Sequence, residues 1–258
     1  MSELLISVLA GLLAGFGTGF AGLSAAVFIA PMLIAFLGVD SFTAIGIALA
    51  SDVLASAASA AAYYRYGNTD LKHCRILMIT VIIFAVIGSV AAHAFTGFST
   101  GETVMGWWLI AATLLLGLKL LFFPAKSDRK GHSLLPWSDT VTMILCGIYI
   151  GFVCGFQGTG GGLMLLFALN ILLGIDFKKS VGSSVCIMTV TAFIGAGSHF
   201  ILRGLPDIKL LVLCVLFTLL GAMTASVIAN HISSVRLKRF TGGMMTVSGI
   251  AMIFGRLL

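Results

Sequence analysis

The stretch Gly15-Phe16-Gly17-Thr18-Gly19-Phe20-Ala21-Gly22 decides the reading of this chain, because its skeleton returns 136 residues later as Gly151-Phe152-Val153-Cys154-Gly155-Phe156-Gln157-Gly158. At that offset, without a gap, 11 of the 36 positions from 11 to 46 are identical, among them Gly11/Gly147, Leu33/Leu169, Gly38/Gly174, Asp40/Asp176 and Gly46/Gly182. With small gaps the echo continues: Gly67, Asp70 and Lys72 return as Gly204, Asp207 and Lys209, and Phe84 and Gly88 as Phe217 and Gly221. The chain is two copies of one unit, and its repeated glycine-rich bends are the first place to look for a site.

Composition places both copies in a membrane. Only 9% of the 258 residues are charged and 59% are hydrophobic, against roughly 25% charged in soluble proteins, and the mean hydropathy is +1.14. Apolar stretches long enough to cross a bilayer recur along the whole chain. The opening Met1-Ser2-Glu3 lacks the basic start of a secretory signal and reads as part of the first helix. The net charge of +6 does not point to nucleic acid, because 12 of the 15 basic residues fall in four segments between apolar runs. These are Arg65, Lys72 and Arg75; Lys119, Lys126, Arg129 and Lys130; Lys178 and Lys179; and Arg236, Lys238 and Arg239. Such clustering orients a membrane protein. The five cysteines read as buried thiols behaving as small apolar groups.

In order along the chain, the expectation is a first repeat over 1–123, a polar cytoplasmic linker at 124–137 and a second repeat over 138–258. Residues 4–37 read as two short arms, 4–16 and 23–37, broken at the glycines; 138–154 and 162–174 are the second such hairpin. Long spans are expected at 42–64, 74–95, 103–123, 180–202, 208–229 and 238–257. The fold class is thus an all-α polytopic membrane protein of six long helices and two Gly-broken hairpins, eight to ten membrane elements in all. With the basic loops on the cytoplasmic side, the first copy begins outside and the second inside. The two halves are then inverted copies, the architecture of many secondary transporters, with the substrate near the bilayer centre at the repeat interface.

Gly158-Thr159-Gly160-Gly161-Gly162, opening an apolar arm, presents backbone N–H groups and a positive dipole end to an anion. Gly19, Gly22 and Ser24 occupy the matching place in the first copy, and Gln157 adds a donor at the second bend. The competing explanation is close helix packing by small residues, favoured for any single glycine; the doubling of the cluster argues for binding. Asp52 is the only acidic residue well inside an expected span, and its counterpart is Met188. A carboxylate at that depth is expensive and usually functional, so Asp52 is the candidate proton-coupling residue. A structural partnership with a neighbouring Ser or backbone group weighs about equally. His93 and His199 read as interfacial, and Lys119 as snorkelling to the cytoplasmic face. No Walker A loop and no His/Cys/carboxylate set with metal spacing occurs, so neither an enzyme nor a metal or other cofactor is expected.

The repeated Gly-Phe-x-x-Gly-Phe-x-Gly, the Gly-Thr-Gly-Gly-Gly of the second hairpin and the later Gly-x-x-Asp (Gly67 to Asp70, Gly204 to Asp207) resemble the TauE/SafE sulfite exporter family over about residues 4–257. The resemblance implies a multi-pass transporter of the bacterial cytoplasmic membrane whose partners are lipids and a small sulfur-containing oxyanion: sulfite or an organosulfonate such as sulfoacetate. The first copy departs from the glycine run, with Leu23-Ser24-Ala25-Ala26 opposite Thr159-Gly160-Gly161-Gly162. Export coupled to protons is the leading expectation. Uptake of thiosulfate relayed by Cys146, Cys154 or Cys186 and a passive anion channel are the alternatives.

Overall fold

Four aspartates at matching places start the helices that frame both copies. Asp40 accepts the N–H of Thr43 at 3.1 Å and Asp176 that of Lys178 at 3.0 Å; Asp70 accepts from His73 at 3.3 Å and Asp207 from Lys209 at 2.8 Å. Each satisfies a backbone donor that the helix leaves unpaired, worth about 1 kcal/mol. Gly38 and Gly174 turn the chain just before the first pair, with φ of 64° and 65°.

The structure, a computed structural model, describes residues 2–94, 114–115, 117–122, 138–157 and 161–257. Helix α1 (Ser2–Ala21) leads through a 3-10 turn (Ala25–Val27) into α2 (Ile29–Leu37), followed by α3 (Ser41–Arg65) and α4 (Leu71–Ala94). A helical stretch at 117–122 is what is described of the last span of the first copy. The second copy runs α5 (Asp139–Gln157), α6 (Gly162–Phe167) with a π turn (Ala168–Leu172), α7 (Phe177–Arg203), α8 (Ile208–His231) and α9 (Ser234–Leu257). The described residues contain no strand. The protein is an all-α polytopic membrane protein, and among the described residues six helices are long and apolar enough to cross a bilayer.

The six are not the six expected. They include Glu3–Ala21 and Asp139–Phe156, read from sequence as short arms, while the span at 103–123 lies largely outside the described residues. Helix α1 does not break at Gly15, Gly17 or Gly19; it runs to Ala21. The reason is packing. A Cβ on Gly11 would meet the Phe217 Cβ at 2.8 Å, one on Gly19 the Ala225 Cβ at 2.6 Å, and one on Gly15 the backbone of Thr218. All three glycines lie on the seam with α8, where their missing side chains let two backbones approach. The same device recurs in the second copy: a Cβ on Gly147 would meet Thr80 at 2.7 Å, one on Gly151 Phe84 at 2.9 Å and one on Gly155 the backbone of Ser89 at 2.7 Å, all on α4. The first helix of each copy therefore packs on the third long helix of the other. Close packing of small residues, not a bend, explains these glycines.

The matching helices α3 and α7 lie side by side and antiparallel. As α3 runs from Phe42 through Leu49 and Ser56 to Tyr63, its neighbours on α7 run back from His199 through Gly195 and Thr189 to Gly182. The side chains of Ser56 and Thr189 are hydrogen-bonded at 3.0 Å across the middle of this seam. Exposed apolar residues such as Leu9 and Leu13 on α1, Ile79, Ile83 and Val90 on α4, and Leu216 and Leu220 on α8 cover the outside of the bundle. In water that surface would be an aggregation hazard; in lipid it is the expected face.

The short arms hold their place at the centre. Each is far too short to span a hydrocarbon core of about 30 Å: Ala25–Leu37 reaches roughly 20 Å and Gly162–Leu172 roughly 16 Å. Buried side chains such as Leu23, Ile29, Leu33, Leu165, Leu166 and Leu169 anchor them inside the bundle.

Candidate functional site

The break between α1 and its arm comes at Gly22, whose φ of +64° is open to glycine at little cost. The Thr18 hydroxyl braces the turn, donating to the carbonyl of Leu23 at 2.9 Å or that of Ala14 at 3.1 Å. Beyond the break, the backbone N–H of Ala25 and the hydroxyl of Ser24 converge on one acceptor. That acceptor is Asp52. Ala25 N donates to Asp52 Oδ1 at 2.7 Å and Ser24 Oγ to Asp52 Oδ2 at 2.5 Å. Asp52 is wholly buried. Ser24 also accepts the N–H of Ala26 at 3.3 Å. The start of the first arm thus holds a carboxyl group in the place where such helix starts receive an anion, and the group belongs to the protein.

The second bend is described from Gly161 onward, and no carboxyl group stands beside its described residues. Gly161, the counterpart of Ala25, has a φ of +70° and lies against the sulfur of Cys154. Gly162 follows, and a Cβ there would meet the Met188 sulfur at 2.8 Å. Met188 is the counterpart of Asp52, so a thioether stands beside the second arm where a carboxylate stands beside the first. The two bends also touch one another: Gly162 lies directly against the carbonyl oxygen of Gly22, leaving no room for a side chain. On its other side Gly22 faces Ser184, whose Oγ a Cβ would meet at 2.6 Å.

Of the residues singled out from sequence, the structure brings together Gly22, Ser24, Asp52, Gly161 and Gly162. Gly19 lies apart inside α1, packed on α8, with its carbonyl accepting the buried Tyr63 hydroxyl at 3.0 Å. Gln157 ends α5, and its side chain, with Gly158, Thr159 and Gly160, lies outside the described residues. Lys119 is exposed, and His199 is half-buried with its Nδ1 3.1 Å from the Phe42 carbonyl; His93 ends α4 with its side chain outside the described set. All five cysteines are free, with Cys154 buried and Cys146 and Cys186 half-buried. Among the described residues no three His, Cys, Asp or Glu side chains group to hold a metal.

Thr18 and Tyr63 were not anticipated. Thr18 carried a signal in being a lone hydroxyl within the repeated glycine stretch, opposite Cys154. Nothing local marked Tyr63, whose partner lies 44 positions away. Along the same face of α3, Ser56 donates to the Asp52 carbonyl at 2.5 Å, while the buried Ser59 hydroxyl has no partner among the described residues.

Comparison with known proteins fits this frame. The sulfite exporter TauE/SafE family profile matches residues 7–252. The chain is 26% identical over 254 residues to "Probable membrane transporter protein YdhB" of Bacillus subtilis, covering 97% of this chain and 100% of that protein. It is 24% identical over 254 residues to "Probable membrane transporter protein YjnA" of the same organism, covering 95% and 98%. A "Probable membrane transporter protein" of Haemophilus influenzae is 27% identical over 188 residues, covering 70% and 67%. A repeated glycine skeleton, six apolar spans and a family match across nearly the whole length lead to one conclusion: the chain is a membrane transporter belonging to the sulfite exporter TauE/SafE family.

Proposed function

We propose that this transporter moves a small sulfur-containing oxyanion, sulfite or an organosulfonate, across the bacterial cytoplasmic membrane, outward and coupled to protons. The observation that carries this reading is the pair of touching half-arms, of which the first is already complexed by the Asp52 carboxylate. A site that holds a carboxylate by a backbone N–H and a hydroxyl is chemically suited to an oxyanion of similar size. The second bend, with Met188 in place of Asp52, leaves the equivalent position to a guest. Gly161, Gly162 and the adjoining Gln157, Gly158, Thr159 and Gly160 are the residues assigned to it, with Gly22 and Ser24 forming the facing half of the site and Gly19 left to helix packing.

Antiparallel packing of α3 on α7 and the reciprocal pairing of α1 with α8 and α5 with α4 support inverted repeats. Each copy would then supply one half-arm to a central site. Proton coupling is assigned to Asp52 because its protonation state governs how tightly the first arm is held. Protonation would weaken the bonds from Ser24 and Ala25 and loosen the bend that touches Gly162. A second reading, thiosulfate uptake relayed by cysteine, draws its support from the Cys154 sulfur against Gly161.

The test is flux into liposomes holding the purified chain, comparing sulfite, sulfoacetate, taurine, thiosulfate and sulfate with and without a pH gradient. Saturable sulfite or sulfoacetate flux that responds to the gradient is expected. Flux of thiosulfate alone, abolished by Cys154→Ala, would favour the second reading, and flux indifferent to the gradient would mark a channel.

A further inference from the structure

The two ends of the α3–α7 seam are related by the repeat, and among the described residues they are joined differently. At the end carrying Arg65, Lys72, Lys178 and Lys179, the α3–α4 turn is tied to α7 and α8 on several sides. The Asn68 amide donates to Asn230 Oδ1 at 2.6 Å, and Lys178 Nζ donates to the Asn230 carbonyl at 2.8 Å. The Tyr66 hydroxyl is paired with His231 Nε2 at 3.0 Å. The backbone N–H of Asp70 donates to Ser183 Oγ at 2.9 Å, and the Asn68 carbonyl lies against Gly182.

At the opposite end the matching α7–α8 turn, 204–207, has none of these ties among the described contacts. Leu205 stands where Asn68 does and is 72% exposed, and Gly204 has open space where a Cβ would be. Phe42 and Ile47 replace Lys178 and Ser183, so the bonding groups themselves are gone. In their place Phe42, Thr43, Gly46, His199, Phe200 and Pro206 line a small cavity opening between α3 and α7.

We propose that Asn68, Tyr66, Asn230 and His231 form a latch that closes the basic end of the α3–α7 seam, and that transport requires this latch to part. The latch explains why hydrogen-bonding side chains collect at the α3–α4 turn. The structure is then one state of an alternating cycle, shut at the basic end. This rests on the transporter reading but not on which anion is carried.

The experiment needs no substrate. Ser59→Cys places a thiol at a buried position on α3, and an impermeant cationic methanethiosulfonate reagent is applied from one face at a time in oriented vesicles of the full chain. Modification is read by mass spectrometry at the peptide holding position 59. Adding Asn68→Leu and Asn230→Ala removes the central bond, and labelling from the basic face should quicken about tenfold, with no change from the other face. A rate from the basic face that stays the same, or one that rises equally from both faces, overturns the latch. Should the combined variant fail to insert, Asn68→Leu alone carries the same test, with faster labelling from the basic face in support and an unchanged rate against. If the latch result holds while liposomes carry no sulfur oxyanion, the fault lies with the substrate assignment and not with the gate.

Discussion

Two bends at matching places of the repeat have different groups set beside them from the following long helix. In the first, Asp52 accepts from Ser24 and from the backbone of Ala25; in the second, Met188 lies beside Gly162. A unit that occurs twice in the chain supplies two matching arm starts. Asp52 clamps the first arm start to α3, and on the proposed function the second arm start is the one that receives the cargo. The difference teaches that one arm start is held by a carboxyl of the protein itself, while its twin has a thioether beside it.

The comparison is broken most severely where the bends touch. Gly162→Val would drive a branched side chain into the carbonyl of Gly22 and the sulfur of Met188. Backbone cannot yield as a side-chain tip can, so a loss of about 3 kcal/mol and of all transport is expected, read as a lowered melting temperature and absent flux. Next comes Asp52→Ala. It strands two buried donors, the Ser24 hydroxyl and the Ala25 N–H, at about 1–3 kcal/mol each, and melting in detergent should fall accordingly. If Asp52→Ala melts as the unaltered chain does, the clamp at the first bend is lost.

Asp52→Asn sharpens the same point with a smaller change. One acceptor oxygen is kept and the shape is nearly unchanged, so stability should drop by only about 1 kcal/mol. Substrate exchange should persist while the response to an imposed pH gradient disappears. A wild-type pH response in that variant would leave Asp52 a clamp and nothing more. Smallest and opposite in sign is Gly197→Ala, within α7, where a Cβ meets nothing within 4 Å. Alanine there should stabilise by up to about 1 kcal/mol, measured as a raised melting temperature, and transport should not change.

Much of this was legible in the sequence, for reasons that differ by residue. The offset of the repeat located the matching caps at Asp40 and Asp176 and the turns at Gly38 and Gly174, because capping and left-handed turns depend on local chemistry alone. The inequality of Asp52 and Met188 was visible too. What misled was the role of Gly15, Gly17 and Gly19. Glycine permits both a bend and a close helix crossing, and only the partner helix decides between them. The four-residue spacing of Gly11, Gly15 and Gly19, repeated in Gly147, Gly151 and Gly155, was the signal for packing along one face. The pairing of Ser24 with Asp52 spans 28 positions and left no local trace, as with the bond from Asn68 to Asn230.

The claim that one bend is filled and the other vacant for cargo is tested most directly by sulfite binding to the purified, lipid-embedded chain carrying Met188→Asp, beside Met188→Leu. The account predicts that the aspartate, set where Asp52 stands in the first copy, occupies the second arm and abolishes binding, while leucine leaves it intact and both variants stay folded by their melting curves. Undiminished sulfite binding in folded Met188→Asp would contradict it.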